Sequence, residues 1–461
     1  MEHVYDLVVI GSGSAGSFAA REAASAFGKR VAVVEKYRWG GDCMTVACKP
    51  TKTYLTSAEL YHHVRTLGPE LGVLAGDLRL DFGRVKERKD GFVAQSSGEA
   101  RRANLREHGI ELFDGRARFL DSRTLAVGDD TLVAENILLA LGSLPAEPPI
   151  PGLAEVGALT NETALALDEI PDSLLVIGAG AVGVEFGQLF SRFGSRVTIV
   201  EAMPRILPRM DADAALSLHD ALEAEGVEIL TGAKLQRLER GDELVKVTLA
   251  LGSGERRLVA NQVLNAVGRR PDVDGLDLEA AGLRHEGPAL PVDAYCETAV
   301  RGIWAAGDIT GIAQFTPIAN YQGRLAVRNM FATEREPADY RALPAAVFTD
   351  PEVASAGPSE EQAREQGFDV ETATAPLRGA SRAGFTGRPH GLAKLVYERE
   401  SGRVLGVHLV TPTASDSIQF LSVAIRLGVT VDDLARSIHV YPSFAEIVKG
   451  AAEQAKATAR V

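Results

Sequence analysis

Cysteine is scarce in this chain, with Cys43, Cys48 and Cys296 the only three among 461 residues. So few exclude a disulfide-stapled scaffold. A zinc site is disfavoured as well, because Cys296 and the scattered histidines offer no second soft pair to join Cys43 and Cys48. Positive charge is also in deficit, with 49 Lys and Arg against 62 Asp and Glu and a formal charge of −13. That balance argues against nucleic acid or an anionic membrane as partner, since either would want a basic face. No stretch approaches eighteen apolar residues, and a strand pattern from Val4 to Ile10 begins too early to leave room for a secretory leader. The expected location is cytoplasmic, where a disulfide is catalytic or sensing rather than structural.

What is present is apolar content of 46%, charged content of 24% and 46 glycines, the composition of a globular α/β enzyme of about three domains. Its most telling stretch is WGGDCMTVACKPTK, from Trp39 to Lys52. Residues five apart in a regular helix have Cα atoms about 8–9 Å apart, beyond the roughly 4.4–6.8 Å that a disulfide spans. Pairing Cys43 with Cys48 therefore needs a distorted first turn. Gly40 and Gly41 supply the backbone freedom, and a helix N-terminus favours the thiolate. The spacing fits a redox pair, with two small buried residues as the plain alternative.

Before this stretch, Tyr5 to Ile10 reads as a buried strand, followed by Gly11-Ser12-Gly13-Ser14-Ala15-Gly16 and an alanine-rich helix to Phe27. A second strand, Val31 to Val34, ends in Glu35. This is the arrangement of a dinucleotide fold. Gly11 makes the tight turn, Gly13 admits the pyrophosphate, Gly16 lets helix meet strand, and Glu35 accepts from a ribose hydroxyl. The same unit then recurs: strand Ser173 to Ile177, loop Gly178-Ala179-Gly180-Ala181-Val182-Gly183, a helix towards Phe193, and a strand Val197 to Val200 ending in Glu201. Two sites imply two dinucleotides, most simply a flavin that stays and a nicotinamide that exchanges. Glu201 repels a 2′-phosphate and favours NADH over NADPH, while Arg205 keeps the second choice open.

Pro145 to Pro151 forms a proline-rich connector, Gly268-Arg269-Arg270-Pro271 marks a return crossing, and Ile303 to Ala306 is a buried strand ending in Gly307 and Asp308. From Phe348 onward the pattern changes to alternating runs, Lys394 to Tyr397 and Val404 to Val410, then a helix from Ser415 to Leu427, which reads as a separate α+β domain. The expected fold is α/β, with two Rossmann-like dinucleotide-binding domains and a C-terminal α+β dimerisation domain. The expected boundaries are 1–145 and 271–340 for the flavin domain, 146–270 for the nicotinamide domain and 341–461 for the last.

Together the motifs GSGSAG, GGDCMTVACKPTK, ILLALGSLP, GAGAVGVEFGQ, NAVGRRPDVDGL, GIWAAGDIT, FTDPEVASAG and HVYPSFAE run from end to end, and the chain resembles the class I pyridine nucleotide-disulfide oxidoreductases. The resemblance implies FAD and NAD(P)H as cofactors and hydride passing through the flavin to a Cys43–Cys48 disulfide. It also implies Cys48 on the flavin side, Cys43 facing substrate, and Lys52 paired with Glu185. Asp308 would hold the ribityl chain, and the helix starting near Thr316 and Pro317 would point at the pyrimidine edge of the flavin. Gly41, Asp42, Gly142 and Gly268 fall in cofactor-binding motifs of the family. Ala181 stands where some relatives carry a tyrosine lid.

The departure is at the C-terminus, where the family's H-x-H-P-T-x-x-E is here His439-Val440-Tyr441-Pro442-Ser443-Phe444-Ala445-Glu446. Tyr441 replaces the acid/base histidine that a partner subunit would supply. A phenol is about a thousandth ionised at pH 7, so it donates a hydrogen bond but is a poor base. His439 is an alternative about 6–7 Å away along an extended segment. Mercuric reductases carry this tyrosine but deliver metal through a C-terminal cysteine pair, and this sequence ends in KATARV. Soluble transhydrogenases carry it but lack the second redox cysteine.

Three readings follow. The first is a homodimeric reductase using Cys43 and Cys48 on an acceptor that needs no imidazole: a soft metal ion, a quinone or a low-pKa disulfide. The second is a transhydrogenase or diaphorase, or a dihydrolipoyl dehydrogenase. The third is a non-catalytic scaffold that retains FAD. No resident metal is expected.

Overall fold

The computed structural model describes residues 1–252, 254–285, 287 and 289–458. Contacts divide these into two compact units, the first comprising 1–53, 86–146 and 268–338, the second 54–85, 147–267 and 339–461.

The first unit is built on strand β1 (Glu2–Ile10). Leu7, Val8 and Val9 are fully buried, as a parallel strand covered on both faces requires. β1 pairs in parallel with β2 (Val31–Glu35) on one side and with Asp130–Leu139 on the other. Glu111–Asp114 adds to β2, and Ile303–Ala305 adds to Asp130–Leu139, both in parallel. Helix α1 (Ser14–Phe27) connects β1 to β2 and is closed by Gly28 in the left-handed conformation. The small side chains of Ala15, Ala19, Ala20 and Ala23 are buried, so α1 lies close to the sheet. Ser143–Pro145 pairs antiparallel with Arg269–Pro271, so the expected return crossing is a short two-stranded ribbon.

In the second unit a four-stranded parallel sheet runs Glu228–Leu230, Arg196–Val200, Ser173–Ile177, Gln262–Asn265. Its crossover helix, Ala181–Phe193, is buried along most of its length. A five-stranded antiparallel sheet runs Pro344–Val347, Glu352–Ala356, Val404–Thr411, Leu392–Glu398, Val370–Pro376. The helix Ala414–Arg426 lies against it, one residue earlier than the sequence pattern indicates. No helix among the described residues is long and apolar enough to cross a membrane.

The two glycine loops repeat the same steric device. A Cβ at Gly16 would overlap the Gly11 carbonyl oxygen, and one at Gly183 would overlap the Gly178 carbonyl oxygen. By contrast, a Cβ at Gly180 meets nothing within 4 Å. Gly183→Ala is therefore expected to destabilise the protein by about 3 kcal/mol or more, through backbone overlap. Gly180→Ala should leave the unfolding transition within about 0.5 kcal/mol of the parent while weakening dinucleotide binding. Denaturant unfolding and nucleotide titration separate the two effects, and equal destabilisation by both would contradict the assignment.

Candidate active site

Cys43 and Cys48 do not share one helix. Cys43 lies in a short helix, α2 (Gly41–Thr45), and Cys48 opens the long helix α3 (Cys48–Arg65). Val46, with φ of −139°, breaks the turn between them. This is the distortion that the spacing demands. Both cysteines are thiols here and both are partly buried.

The two sulfurs converge on one hydroxyl. Thr316 Oγ1 donates to Cys43 Sγ at 2.9 Å and lies 3.6 Å from Cys48 Sγ. Thr316 is the first residue of the helix Thr316–Phe331, with Pro317 in its first turn, so the positive end of that helix is close to sulfur. The hydrogen bond with Cys48, burial, and the charge on Cys48 push the Cys43 thiol up, outweighing opposite pulls from Thr316 and Lys52.

The turn carrying the thiols is fastened to the first glycine loop. Gly40 and Gly41 both have positive φ, 112° and 69°. A Cβ on Gly41 would fall 2.6 Å from Gly13 Cα, so only glycine permits this approach. The Ser12 hydroxyl accepts from Gly40 N at 2.9 Å and donates to Glu35 Oε2 at 2.7 Å. Glu35 also accepts from Ser12 N at 2.8 Å and from Tyr37 N at 2.9 Å. Before any ribose is considered, Glu35 holds the loop in shape. Ser14 and Ala15 continue into α1 behind Gly13.

Asp42, beside Cys43, pairs with Arg269 Nη2 at 2.5 Å. Arg269 Nε in turn donates to Ser143 Oγ at 2.7 Å, and Ser143 Oγ donates to Asp308 Oδ2 at 2.5 Å. Burial raises the Asp308 carboxyl against the smaller pulls of Ser143 and Arg269. Gly142 and Gly268 flank this chain of contacts, and Gly307 N donates to Gln322 Oε1 at 2.8 Å. Sequence reasoning missed Ser12, Ser143 and Arg269, whose signal was only adjacency to recognised motifs.

The open turn at Gly13, with no side chain in the way, backed by the α1 N-terminus and the buried Asp308, fits the pyrophosphate and polyol of a flavin dinucleotide. The second loop fits a dinucleotide as well. Glu201 accepts from Ala179 N at 2.7 Å and from Met203 N at 2.8 Å, which leaves lone pairs on both oxygens for a ribose. Ala181 and Val182 begin the helix behind Gly180. Arg205 donates to Glu361 Oε2 at 2.8 Å.

Glu185 is buried and accepts from Phe348 N at 2.9 Å. Tyr441 is 73% exposed, with its hydroxyl 2.8 Å from Ser381 Oγ. Glu446 starts the helix Glu446–Thr458 and accepts from Ser381 N at 3.2 Å, so it braces that turn. His439 Nε2 lies 3.1 Å from Leu434 O. Glu59, His63 and Asp350 bring potential metal-ligand atoms together. Asp350 is already bonded to His63, Arg192 and Arg388, and although burial would raise it, these partners hold its carboxyl far below the usual range. The cluster is an ion-pair network.

A pyridine nucleotide-disulphide oxidoreductase family model matches residues 5–323, and the dimerisation domain of the same family matches 343–452. The chain is 34% identical over 450 residues to a mercuric reductase of Staphylococcus aureus, covering 97% of this chain and 82% of that protein. It is 36% identical over 459 residues to a dihydrolipoyl dehydrogenase of Geobacillus stearothermophilus, covering 98% and 96%. Among solved structures it resembles the HOCl-induced flavoprotein disulfide reductase RclA from Escherichia coli, with a TM-score of 0.86, 31% identity, and 97% and 99% of the two chains covered.

Thr316→Val removes the hydroxyl that favours the Cys43 thiolate. The midpoint pH for alkylation of the reduced protein by iodoacetamide should rise by about 1 pH unit. An unchanged midpoint would mean that this hydroxyl does not control the pair.

Proposed function

The chain belongs to the pyridine nucleotide-disulphide oxidoreductases, and from that premise we propose that it delivers the electrons of NADH to an acceptor reduced at Cys43 and Cys48. It is an FAD-dependent NAD(P)H oxidoreductase, and FAD, when bound, relays two electrons between nicotinamide and sulfur. The convergence of both sulfurs on Thr316 carries the proposal for the thiols. Two thiols that share one hydroxyl across a helix break form a reacting pair, since a purely structural pair needs no such donor.

The residues divide the work as follows. The loop from Gly11 to Gly16, Glu35, Gly41, Asp42, Gly142, Gly268, Gly307 and Asp308 would hold the flavin dinucleotide. The loop from Gly178 to Gly183 and Glu201 would hold NADH. Glu201 disfavours a 2′-phosphate, and the nearby Arg205 is already neutralised by Glu361, which supports NADH over NADPH. By the family resemblance Lys52 would take Glu185 as its partner, so that neither charge is left alone beside the cofactor. By the family resemblance Cys43 would attack the acceptor as the thiolate, and Cys48 would then close the disulfide again.

A homodimer is part of the proposal. The family's dimerisation domain spans 343–452, and Ile438, Val440 and Tyr441 stand 101%, 77% and 73% exposed on it, which supports a second surface covering them. Each protomer would lend Tyr441 and Glu446 to the site of its partner. The phenol donates a hydrogen bond to a developing charge and does not withdraw a proton. Acceptors that need no strong base fit this site: soft metal ions, quinones and disulfides with acidic thiols. The domain division of 1–145 with 271–340, then 146–270 and 341–461, is proposed on the same basis, as is the cytoplasm as the site of action.

Cys48→Ser should cut NADH-dependent turnover with every such acceptor by at least about a hundredfold while the flavin is still bleached by NADH under anaerobic conditions. Full activity in that variant would favour a transhydrogenase or diaphorase with spectator thiols. In the parent, kcat/KM for NADH should exceed that for NADPH by about tenfold.

A further inference from the structure

The segment that follows Glu201 folds back onto the second glycine loop. Glu201 Oε2 accepts from Ala179 N at 2.7 Å, and Leu207 N donates to Ala179 O at 2.8 Å, so both ends of the arch 202–206 are fastened to one residue of that loop. The arch has little freedom. Pro204 and Pro208 fix two of its φ angles, and Met203 N is held by Glu201 Oε1 at 2.8 Å. Ile206 and Leu207 are buried in the core beneath the parallel sheet. Leu207 has a φ of 43°, in the left-handed region that a leucine occupies only when its surroundings impose it, and such strain gathers at ligand sites.

Arg205 is the only charged residue of the arch. Its buried Nε has no hydrogen-bond partner, and Nη2 reaches Pro208 O at 3.4 Å. Its carboxylate partner comes from far along the chain. Glu361, 156 positions away, accepts from Nη2 at 2.8 Å and from Nη1 at 3.4 Å, and so takes both arms of the guanidinium. Glu361 lies on the short helix Glu360–Glu365, between two strands of the five-stranded sheet. The start of that helix is docked beside the arch, since Gln362 Nε2 donates to Arg209 O at 3.4 Å. The ion pair does little for stability: its side chains are 60% exposed on Glu361 and 31% on Arg205, and pairs so open to water contribute little. Its effect is to occupy a phosphate-gripping group next to a ribose acid.

We propose that Glu361 is a specificity-determining residue for the coenzyme: it holds the guanidinium of Arg205 and thereby withholds the one cation of the arch from a 2′-phosphate. This rests on the reading that the second glycine loop binds the nicotinamide coenzyme. Coenzyme choice is then set in two places, by Glu201 at the strand end and by a residue on a different sheet that acts through Arg205. With Glu361 in place, a 2′-phosphate meets the charge of Glu201 and an arginine whose arms are already taken. Without it, the fork of Arg205 is open to the phosphate, and the fixed backbone of the arch keeps the fork beside the ribose acid. A coenzyme with a plain 2′-hydroxyl is bound through Glu201 and is indifferent to the change.

ADP-ribose and 2′-phospho-ADP-ribose are the two coenzymes without their nicotinamide, so they report binding with no hydride transfer. Titrated calorimetrically into the flavin-loaded protein, 2′-phospho-ADP-ribose should bind about tenfold more tightly to Glu361→Gln and to Glu361→Ala than to the parent, and ADP-ribose should change by less than about twofold. Adding Arg205→Met to either variant should abolish the gain, which separates the freed guanidinium from a general change in charge. In turnover, Glu361→Gln should lower KM for NADPH about tenfold with kcat within about twofold, and leave both constants for NADH unchanged. If neither variant tightens 2′-phospho-ADP-ribose, or if the gain survives the loss of Arg205, the role of Glu361 is overturned. If the parent binds neither ADP-ribose nor its 2′-phosphate, the dinucleotide reading of the second loop fails, and the proposal fails with it.

Discussion

The near contact of Gly41 with Gly13 is the constraint on which the first unit turns. It brings the segment that carries the thiols against the segment that receives a pyrophosphate, with no side chain between them. A methyl group at Gly41 would force the two apart by a distance comparable to a carbon radius, and the fastening through Ser12 to Gly40 and Glu35 would go with it. Glu35 therefore acts in two places. It is the acid at the strand end expected of a dinucleotide unit, and its carboxylate also fixes the loop on which the redox turn rests. A dinucleotide site and a dithiol site are here one backbone structure.

Much of this was legible in the sequence because the relevant signals are local. Glycine spacing, a buried run before it and an acid after it describe a turn whose geometry hardly depends on the rest of the chain. The strand Ser173–Ile177 and the helix end at Phe193 fall where the pattern put them. The spacing of Cys43 and Cys48 likewise announced a distortion, although not that it would be a break at Val46 between two helices. What could not be read was whatever depends on residues far apart in the chain. Arg269 reaches Asp42 across 227 positions, and Thr316 reaches Cys43 across 273. No periodicity encodes such pairings; they follow from the sheet order.

Charge provides the same lesson in another form. Net charge argued correctly that the chain as a whole is not basic, and said nothing about where its cations sit. Asp42, next to Cys43, is linked to Asp308 through Arg269 and Ser143, so that one guanidinium serves a chain with two acids. Elsewhere in the first unit, burial and a neighbouring cation lower Lys49, Arg101 and Arg21. An average over the sequence cancels both.

Under the proposed reading, in which Tyr441 of a partner subunit reaches the thiols, the chemistry of the acceptor decides whether a phenol suffices there. A disulfide with a basic leaving thiol needs a proton delivered as the bond breaks, which is work for a group titrating near neutrality. When the leaving thiol is acidic, or the acceptor is a metal ion or quinone, that requirement relaxes and orientation becomes limiting. Tyr441 can orient through its hydrogen bond but cannot serve as base. Under the proposed reading, a tyrosine in the histidine's place marks a change in the chemistry demanded of the site, from moving a proton to orienting an acceptor.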